Sequence, residues 1–477
     1  MTSKSGASPG TTHGRHRLGG LGAAVLLASS LVFAQTGTAA AQPATGVCSD
    51  PSGSDGFQRA DPAAAGIDPA ALGDAMDFGK SKGAYAIQIY RHGCLVGDDT
   101  RTGNLPLPLA SASKGVASVA VGRAITMGYF ELDDPLGKFF PTADADHAAL
   151  TVRQILNQTT GLRFTWSSDI AGIATDEVTK TLRDPLAFTP GTTFQYAQAA
   201  LVLLPKIVEI TTGSDFQDFV QRELMAPLGI DRDHWVWLRD RSGNTTVNGG
   251  LAMRADDLAR LGQLMLRNGR WGERRLIDPD YIRQAQQPTS ANGGYGFLFW
   301  LNAGDSYKTA TVPSAKVFDH PMFPGTPRDL YSFVGALGQF VAIIPSRDMV
   351  IVRLGVPASI DPGNVQTSLA AESNPDNKEF LRRVTAAITD VPAEPYDEPY
   401  HYNDNFGPLV SNLDDLAFWT DPANVTDILL GVGPYASDNC NVLWCNGKAV
   451  PQDLYAEFLD VSGQVTATIQ GLDHGQR

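Results

Sequence analysis

The sequence is poor in the features that mark metal proteins, nucleic-acid binders and repeat architectures. Its four cysteines form no Cys-x-x-Cys pair and have no flanking histidines, so no zinc-site pattern is present. The eight histidines contain no His-Glu-x-x-His, and His234 and His320 read as surface or packed residues rather than ligands. Lys and Arg number 37 against 51 Asp and Glu; the net charge of −14, with no basic run, repels phosphate backbones and excludes a nucleic-acid partner. No segment repeats itself. A Gly-x-Ser-x-Gly match at Gly6-Ala7-Ser8-Pro9-Gly10 has no strand before it and so is no nucleophile elbow. No metal and no cofactor are expected.

What is present is a long chain with a sizeable apolar fraction. At 477 residues and 43% hydrophobic content it can build two or three domains, or one composite domain, around a real core. Arg15 and Arg17 precede an apolar run, Leu18 to Ala34, and Ala39-Ala40-Ala41 offers small residues for cleavage. Residues 1–41 therefore read as a signal peptide of a secreted protein, with no stable membrane anchor left after cleavage. No Arg-Arg pair marks a twin-arginine signal, and Thr45-Gly46-Val47 before Cys48 is a poor lipidation site. In an oxidising compartment Cys48, Cys94, Cys440 and Cys445 suggest two disulfides. Of the three connectivities, Cys48–Cys94 with Cys440–Cys445 is favoured, because the first ties down the N-terminal segment and the second closes a small loop; the sequence alone does not decide it.

Residues 42–66 form a leader rich in Ser, Pro, Gly and Asp. Asp68-Pro69 opens a helix to Lys82. Ala84 to Tyr90 and a return strand from Cys94 make a hairpin around Arg91-His92-Gly93. Leu105 to Pro108 is extended, since each proline pushes its predecessor out of the helical region. Ser111 to Met127 has helical spacing, and Asp133-Asp134 reads as a turn and helix cap. Helices dominate from about 145 to 290: Val152–Asn157, Ala199–Thr211, Phe216–Met225 and Asp256–Asn268. Strands return at 332–356, with a turn at Pro345-Ser346-Arg347-Asp348, and Lys378–Ile388 is a closing helix. Strands at both ends with helices between predict an α/β (α+β) fold over 67–390: an antiparallel sheet flanked by helices, plus a mainly helical insert. The remaining 391–477 form an acidic extension. Its thirteen Asp and Glu against Lys448 and Arg477 account for eleven of the fourteen net negative charges. It also holds Phe406, Phe418, Trp419, Trp444, Tyr455 and Phe458, too aromatic for a disordered tail, and is expected to pack on the main body.

The stretch that carries chemistry is Ser111-Ala112-Ser113-Lys114. Ser-x-x-Lys alone is weak: with eleven lysines, about one match arises by chance. Its placement adds to it. At a helix N-terminus, free amides and the dipole favour developing negative charge, and a lysine three residues on comes up beside the serine. Further pieces follow in order: Leu132-Asp133-Asp134-Pro135, Leu156-Asn157-Gln158-Thr159-Thr160-Gly161-Leu162, Pro190-Gly191-Thr192-Thr193-Phe194-Gln195-Tyr196, Ala226-Pro227-Leu228-Gly229-Ile230, Gly249-Gly250-Leu251 with Asp257-Leu258-Ala259-Arg260, and Gly335-Ala336-Leu337-Gly338-Gln339. Together, over roughly 66–390, they resemble the serine β-lactamase-like hydrolases: class C β-lactamases, D-alanyl-D-alanine carboxypeptidases and 6-aminohexanoate-dimer hydrolases.

The resemblance implies acyl transfer on an amide or ester, which needs a deprotonated hydroxyl, an oxyanion site and a proton donor. It makes Ser111 the nucleophile, Lys114 its base when neutral, Tyr196 the proton shuttle and the amides of Ser111 and Gln339 the oxyanion hole. Trp166, Gln198 and Gly338 become substrate-binding candidates. Two departures stand out. Tyr196-Ala197-Gln198 has Gln where the family has Asn, and Ala336-Leu337-Gly338 stands where the family has Lys-Thr-Gly. The missing cation, which in the family meets a substrate carboxylate, points away from β-lactamase or carboxypeptidase activity. The Gly-Gln ending and Trp166 point toward the 6-aminohexanoate-dimer hydrolase and esterase branches. The only implied partner is a small-molecule or peptide-like substrate. A non-catalytic ligand-binding module on the same fold is the competing reading.

Overall fold

The computed structural model describes residues 48–103, 105–162, 176–310, 315–362, 365–370 and 372–396, with 404, 413–420, 440, 444–445 and 448–449. The signal segment, Trp166 and most of the acidic extension lie outside the described residues.

Segments from both ends of the region 58–355 build one sheet. Strands β1 (Gln58–Arg59), β2 (Ala84–Arg91) and β3 (Cys94–Thr100) precede the insert. Strands β4 (Tyr295–Gly296), β5 (Phe299–Leu301), β6 (Tyr331–Gly335), β7 (Gln339–Ile344) and β8 (Met349–Gly355) follow it. The order is β1-β3-β2-β8-β7-β6-β5-β4. Every pairing is antiparallel except the two-residue parallel edge β1–β3. The seam between the chain's two ends is β2 against β8, with Ile89 opposite Ile351.

Helices cover both faces of this sheet, which is why β7 and β8 are apolar almost throughout rather than alternating. Helix α1 (Pro69–Ser81) packs on α5 (Pro375–Ala386) over one face. A Cβ on Gly79 would stand 2.7 Å from Ile87 and 3.0 Å from Phe380, so this glycine permits the close approach. On the other face lies α4 (Ala255–Leu266), where Gln88, next to Ile87 on β2, reaches Asp256. Helices α2 (Ser113–Thr126) and α3 (Leu203–Thr212) pack together, α2 also touching β6.

Local signals explain most boundaries. Asp68 caps α1 through the Ala70 and Ala71 amides, with Pro69 in the first turn. Thr151 and Gln154 form a capping box for Val152–Leu156. Four expectations need correcting. Helix α2 begins at Ser113, because Ala110 takes a positive φ of 46° and Ala110–Ala112 forms a 3-10 turn. The helix expected from Ala199 runs as a 3-10 turn, Gln198–Val202, before α3. The closing helix starts at Pro375, with Asn374 capping the Asp376 and Asn377 amides. Asp134 closes a turn onto the Glu131 amide at 2.8 Å and pairs with Lys138, while Asp133 grips Arg153 through two bonds; neither caps a helix.

Both favoured disulfides are formed, Cys48–Cys94 and Cys440–Cys445. Among the described residues of the acidic extension, Asp404 is a deeply buried charge. Asp404 accepts from Lys378, from the Tyr307 hydroxyl and, at 2.9 Å, bonds His320 Nε2; the Thr367 hydroxyl donates to its carbonyl at 3.0 Å. Burial alone would raise the Asp404 pKa, but His320 and Lys378 outweigh it and hold the carboxyl well below its ordinary range.

The Cys48–Cys94 bridge spans 46 residues. Closing a loop of that size restricts the unfolded chain, so replacing both cysteines by serine is expected to cost about 4 kcal/mol. Thermal unfolding of the double variant checks this; an unchanged Tm would refute it.

Candidate active site

The serine turn is fixed by a neighbouring strand. Leu107–Pro108 pairs with Leu251–Met253, and the Leu109 amide donates to Leu251 at 2.8 Å. Ser113 completes the clamp: its hydroxyl accepts from the Leu251 amide at 3.2 Å and donates to the Ala110 carbonyl at 2.6 Å. That carbonyl is available because Ala110 is left-handed, a conformation non-glycine residues adopt rarely and at some cost. The turn presents Ser111, partly exposed, just ahead of α2.

Lys114 occupies the first turn of α2 and is 1% exposed. Its Nζ donates to Ser111 Oγ at 2.9 Å, to Gln198 Oε1 at 2.7 Å and to the Asn248 carbonyl. The Tyr196 ring centroid lies 4.8 Å from the same nitrogen. Tyr196 in turn hydrogen-bonds Ser111. Burial pushes its hydroxyl pKa well above the ordinary tyrosine value, against the opposing effect of Ser111 and with a smaller push from Glu372, so it stays protonated at neutral pH.

Tyr196 is held from two sides. The Gln195 amide donates to the Gln158 carbonyl at 3.0 Å, Gly191 to Thr159 at 2.7 Å and Ala187 to Gly161 at 2.8 Å. Gly161 has a φ of 87°, and a Cβ there would stand 2.2 Å from the Phe188 carbonyl, so the turn Thr159-Thr160-Gly161 needs its glycine. On the other side the ring stacks on Trp300 at 6.0 Å and meets Tyr295 edge-on at 6.2 Å.

Gln339 opens β7 across Gly335. A Cβ on Gly335 would lie 2.0 Å from the Leu109 carbonyl, 2.8 Å from the Ala112 amide and 3.1 Å from Gln339 Cβ. The serine turn and the head of β7 therefore abut. The Gln339 side chain bonds the Gly355 carbonyl at 2.6 Å and amide at 3.2 Å, which fastens β7 to β8. Gly338 has a φ of 94° and lies against Arg353.

Of the residues picked out by sequence, Ser111, Lys114, Tyr196 and Gln198 converge directly, and Gln339 and Gly338 adjoin the serine turn. Four contributors were missed. Asn248 acts through its backbone, which leaves no side-chain signal beyond the neighbouring Gly249-Gly250. Ser113 lay inside the motif but was read only as a spacer. Arg353 was visible as the lone charge in the strand Met349–Gly355. Glu372 gives no motif at all. It is 5% exposed, accepts from the Ala310 amide and leaves Oε1 without a hydrogen-bond partner. Burial pushes its carboxyl up to about 7, with Lys378 and Lys114 pulling the other way.

A sequence profile of the beta-lactamase family matches residues 78–355, more than half of the chain. The chain belongs to the beta-lactamase family. Among curated relatives, it is 27% identical to a 6-aminohexanoate-dimer hydrolase of Paenarthrobacter ureafaciens over 52% of this chain and 65% of that protein. It is 31% identical to esterase EstB of Burkholderia gladioli over 26% of this chain and 36% of that one. The matches thus span less than two thirds of either relative. A crystal structure of a penicillin-binding protein homologue from Caulobacter crescentus superposes with a TM-score of 0.51 at 15% identity, covering 68% of this chain and 99% of that one, a likeness of fold. The chain is thus a member of a serine β-lactamase-fold family with hydrolase and esterase relatives.

Glu372 generates a prediction on stability. Its folded-state pKa of about 7 exceeds the ordinary glutamate value of 4.5. The folded protein therefore holds a proton that the unfolded chain has lost between those values, and stability falls as pH rises through that window. The loss is about 3 kcal/mol for a shift of this size. Glu372→Gln is expected to remove it: chemical denaturation at pH 5 and pH 8 should show a smaller drop in the variant than in the wild type. Equal drops would place the pH sensitivity elsewhere.

Proposed function

We propose that this protein is a secreted serine hydrolase that cleaves an ester or small amide through an acyl-enzyme on Ser111, closest to the 6-aminohexanoate-dimer hydrolase and esterase branch. The observation that carries the reading is the meeting of Lys114 Nζ and the Tyr196 hydroxyl on Ser111. The relatives named hydrolase and esterase support it.

Neutral Lys114 takes the Ser111 proton as Oγ attacks the substrate carbonyl. The oxyanion falls to the amides of Ser111 and Gln339. Tyr196, protonated by virtue of burial, donates toward the leaving group and is recharged from Lys114, which holds the proton it took from Ser111. Water then repeats the sequence on the acyl-enzyme. Gln198 and the Asn248 carbonyl hold the lysine nitrogen in place. Ala336-Leu337-Gly338 offers no cation for a substrate carboxylate, which supports neutral esters and amides over cephalosporins and D-alanyl peptides.

Two measurements test this. A fluorophosphonate probe is expected to label Ser111, with labelling abolished in Ser111→Ala and kcat/KM for p-nitrophenyl esters about 10²–10⁴-fold lower in Lys114→Met. Labelling that survives Ser111→Ala would falsify the assignment. Across p-nitrophenyl esters, linear amide oligomers, D-amino-acid peptides and a chromogenic cephalosporin, turnover is expected on the first two; efficient cephalosporin hydrolysis would contradict the weight placed on the missing cation.

A further inference from the structure

Arg353 is an anomaly in its strand. Met-Val-Ile-Val-Arg-Leu-Gly is otherwise apolar, and β8 lies inside the sheet between β2 and β7. The residue is 2% exposed. A buried guanidinium is costly unless its donors are satisfied, and such a cation is ordinarily paired with a carboxylate. Among the described residues no carboxylate lies within ion-pair distance of it. Asp376, which itself pairs with Lys82 at 2.9 Å, acts on it only from afar, as does Tyr85. Burial draws the Arg353 pKa down to about 10, so at neutral pH the charge persists. Its partners are two backbone carbonyls, Gly338 from Nη1 at 2.6 Å and Lys82 from Nη2 at 3.0 Å.

The first of those carbonyls decides the matter. It belongs to the Gly338–Gln339 peptide, whose N–H is that of Gln339. In a trans peptide the C=O and N–H point in opposite directions. A cation on the carbonyl side leaves the N–H directed away from Arg353. The structure also protects this contact: a Cβ on Gly338 would stand 2.2 Å from Arg353 Nη1. Gln339 is meanwhile clamped to Gly355, so the peptide plane cannot swing.

We propose that Arg353 is a positioning residue of the oxyanion hole: its guanidinium, bonded to the Gly338 carbonyl, polarises the Gly338–Gln339 peptide and strengthens the Gln339 N–H as a donor to the substrate oxyanion. The proposal rests on the serine-hydrolase reading above. A hydrogen bond accepted at C=O strengthens the donor at N–H of the same amide, and a charged partner does so more than a neutral one. The charge costs no reorganisation when the oxyanion forms, since it is already in place. Ala336-Leu337-Gly338 brings no charge to the substrate side; Arg353 brings one from behind.

The test compares Arg353→Gln, which keeps a neutral donor, with Arg353→Lys, which keeps the charge. Thermal unfolding confirms that each variant is folded. Two quantities are read on a p-nitrophenyl ester carrying ¹³C at its carbonyl: kcat and KM separately, and the infrared stretch of the acyl-enzyme carbonyl. Arg353→Gln is expected to lower kcat/KM about tenfold or more through kcat, with KM little changed, and to move the carbonyl band to higher wavenumber. Arg353→Lys is expected to recover much of both. An unchanged band with wild-type kcat in Arg353→Gln overturns the proposal, as does an equal loss in Arg353→Lys. If Arg353→Gln does not fold, Gly338→Ala, which pushes the guanidinium off the carbonyl, must show the same band shift; an unmoved band there is equally decisive against it. Failure of the wild-type protein to acylate Ser111 overturns the hydrolase reading itself, and this proposal with it.

Discussion

The site depends on one constraint: a lysine nitrogen held in the interior by oxygens drawn from separate parts of the chain. Lys114 Nζ meets Ser111 of its own turn, Gln198 of the helical insert and the Asn248 carbonyl ahead of the strand Leu251–Met253. A buried amine tolerates this place only if its donors are satisfied. Each supporting oxygen therefore fixes a different segment, and these segments are the walls of the site. The left-handed Ala110, the Ser113 clamp and the close approach at Gly335 all serve to bring Ser111 to that nitrogen. The sheet contributes rigidity, since β6 and β7 meet the serine turn where Gly335 leaves room for no side chain.

Much of this was legible in the sequence because the residues concerned are chemically distinctive and sit in recognisable surroundings. Ser111 with Lys114, Tyr196 after Pro190-Gly191-Thr192, and Gln339 after a glycine turn each carry a local signal. The antiparallel sheet fed from both ends was legible for a similar reason: apolar runs at 84–96 and 332–356 flank a long helical stretch. What escaped depends on contacts across the fold. Asn248 contributes a carbonyl that every residue has. Glu372 is one carboxylate among fifty-one acidic residues, and only burial distinguishes it. The start of α2 was misplaced by two residues because no local rule assigns a left-handed conformation to an alanine.

The acidic extension shows the same limit. Composition marks it as richer in aromatic residues than a solvated tail, but could not single out Asp404 among thirteen carboxylates. In the fold Asp404 is the counter-charge of Lys378, a side chain with no exposure. Removing one member of such a pair leaves the other uncompensated in the interior, so Asp404 is tied to α5 energetically. Glu372 feels Lys378 on one side and Lys114 on the other. Titratable groups thus follow one another from Lys114 through Glu372 and Lys378 to Asp404, which ties Asp404 of the extension to the electrostatics of the site region.

The two departures from the family pattern differ in kind. Replacing Asn by Gln at 198 lengthens the side chain by one methylene but preserves the amide oxygen, and that oxygen still lies 2.7 Å from Lys114. The hydrogen bond to the lysine is therefore made, and Gln198 makes it from the first residue of the 3-10 turn Gln198–Val202. At Ala336-Leu337-Gly338 nothing equivalent is kept on the substrate side: Leu337, left-handed with a φ of 67°, is 37% exposed. A positive charge does remain near this peptide, but it is carried by β8 and faces the carbonyl rather than the substrate. A cation in that position lies on the carbonyl side of the Gly338–Gln339 peptide, from where the proposal above has it act on the amide. On the proposed mechanism, two effects that a single site-facing lysine would combine are then separated: selection of an anionic substrate is absent, and the charge that remains acts on the Gly338–Gln339 peptide from the side of its carbonyl.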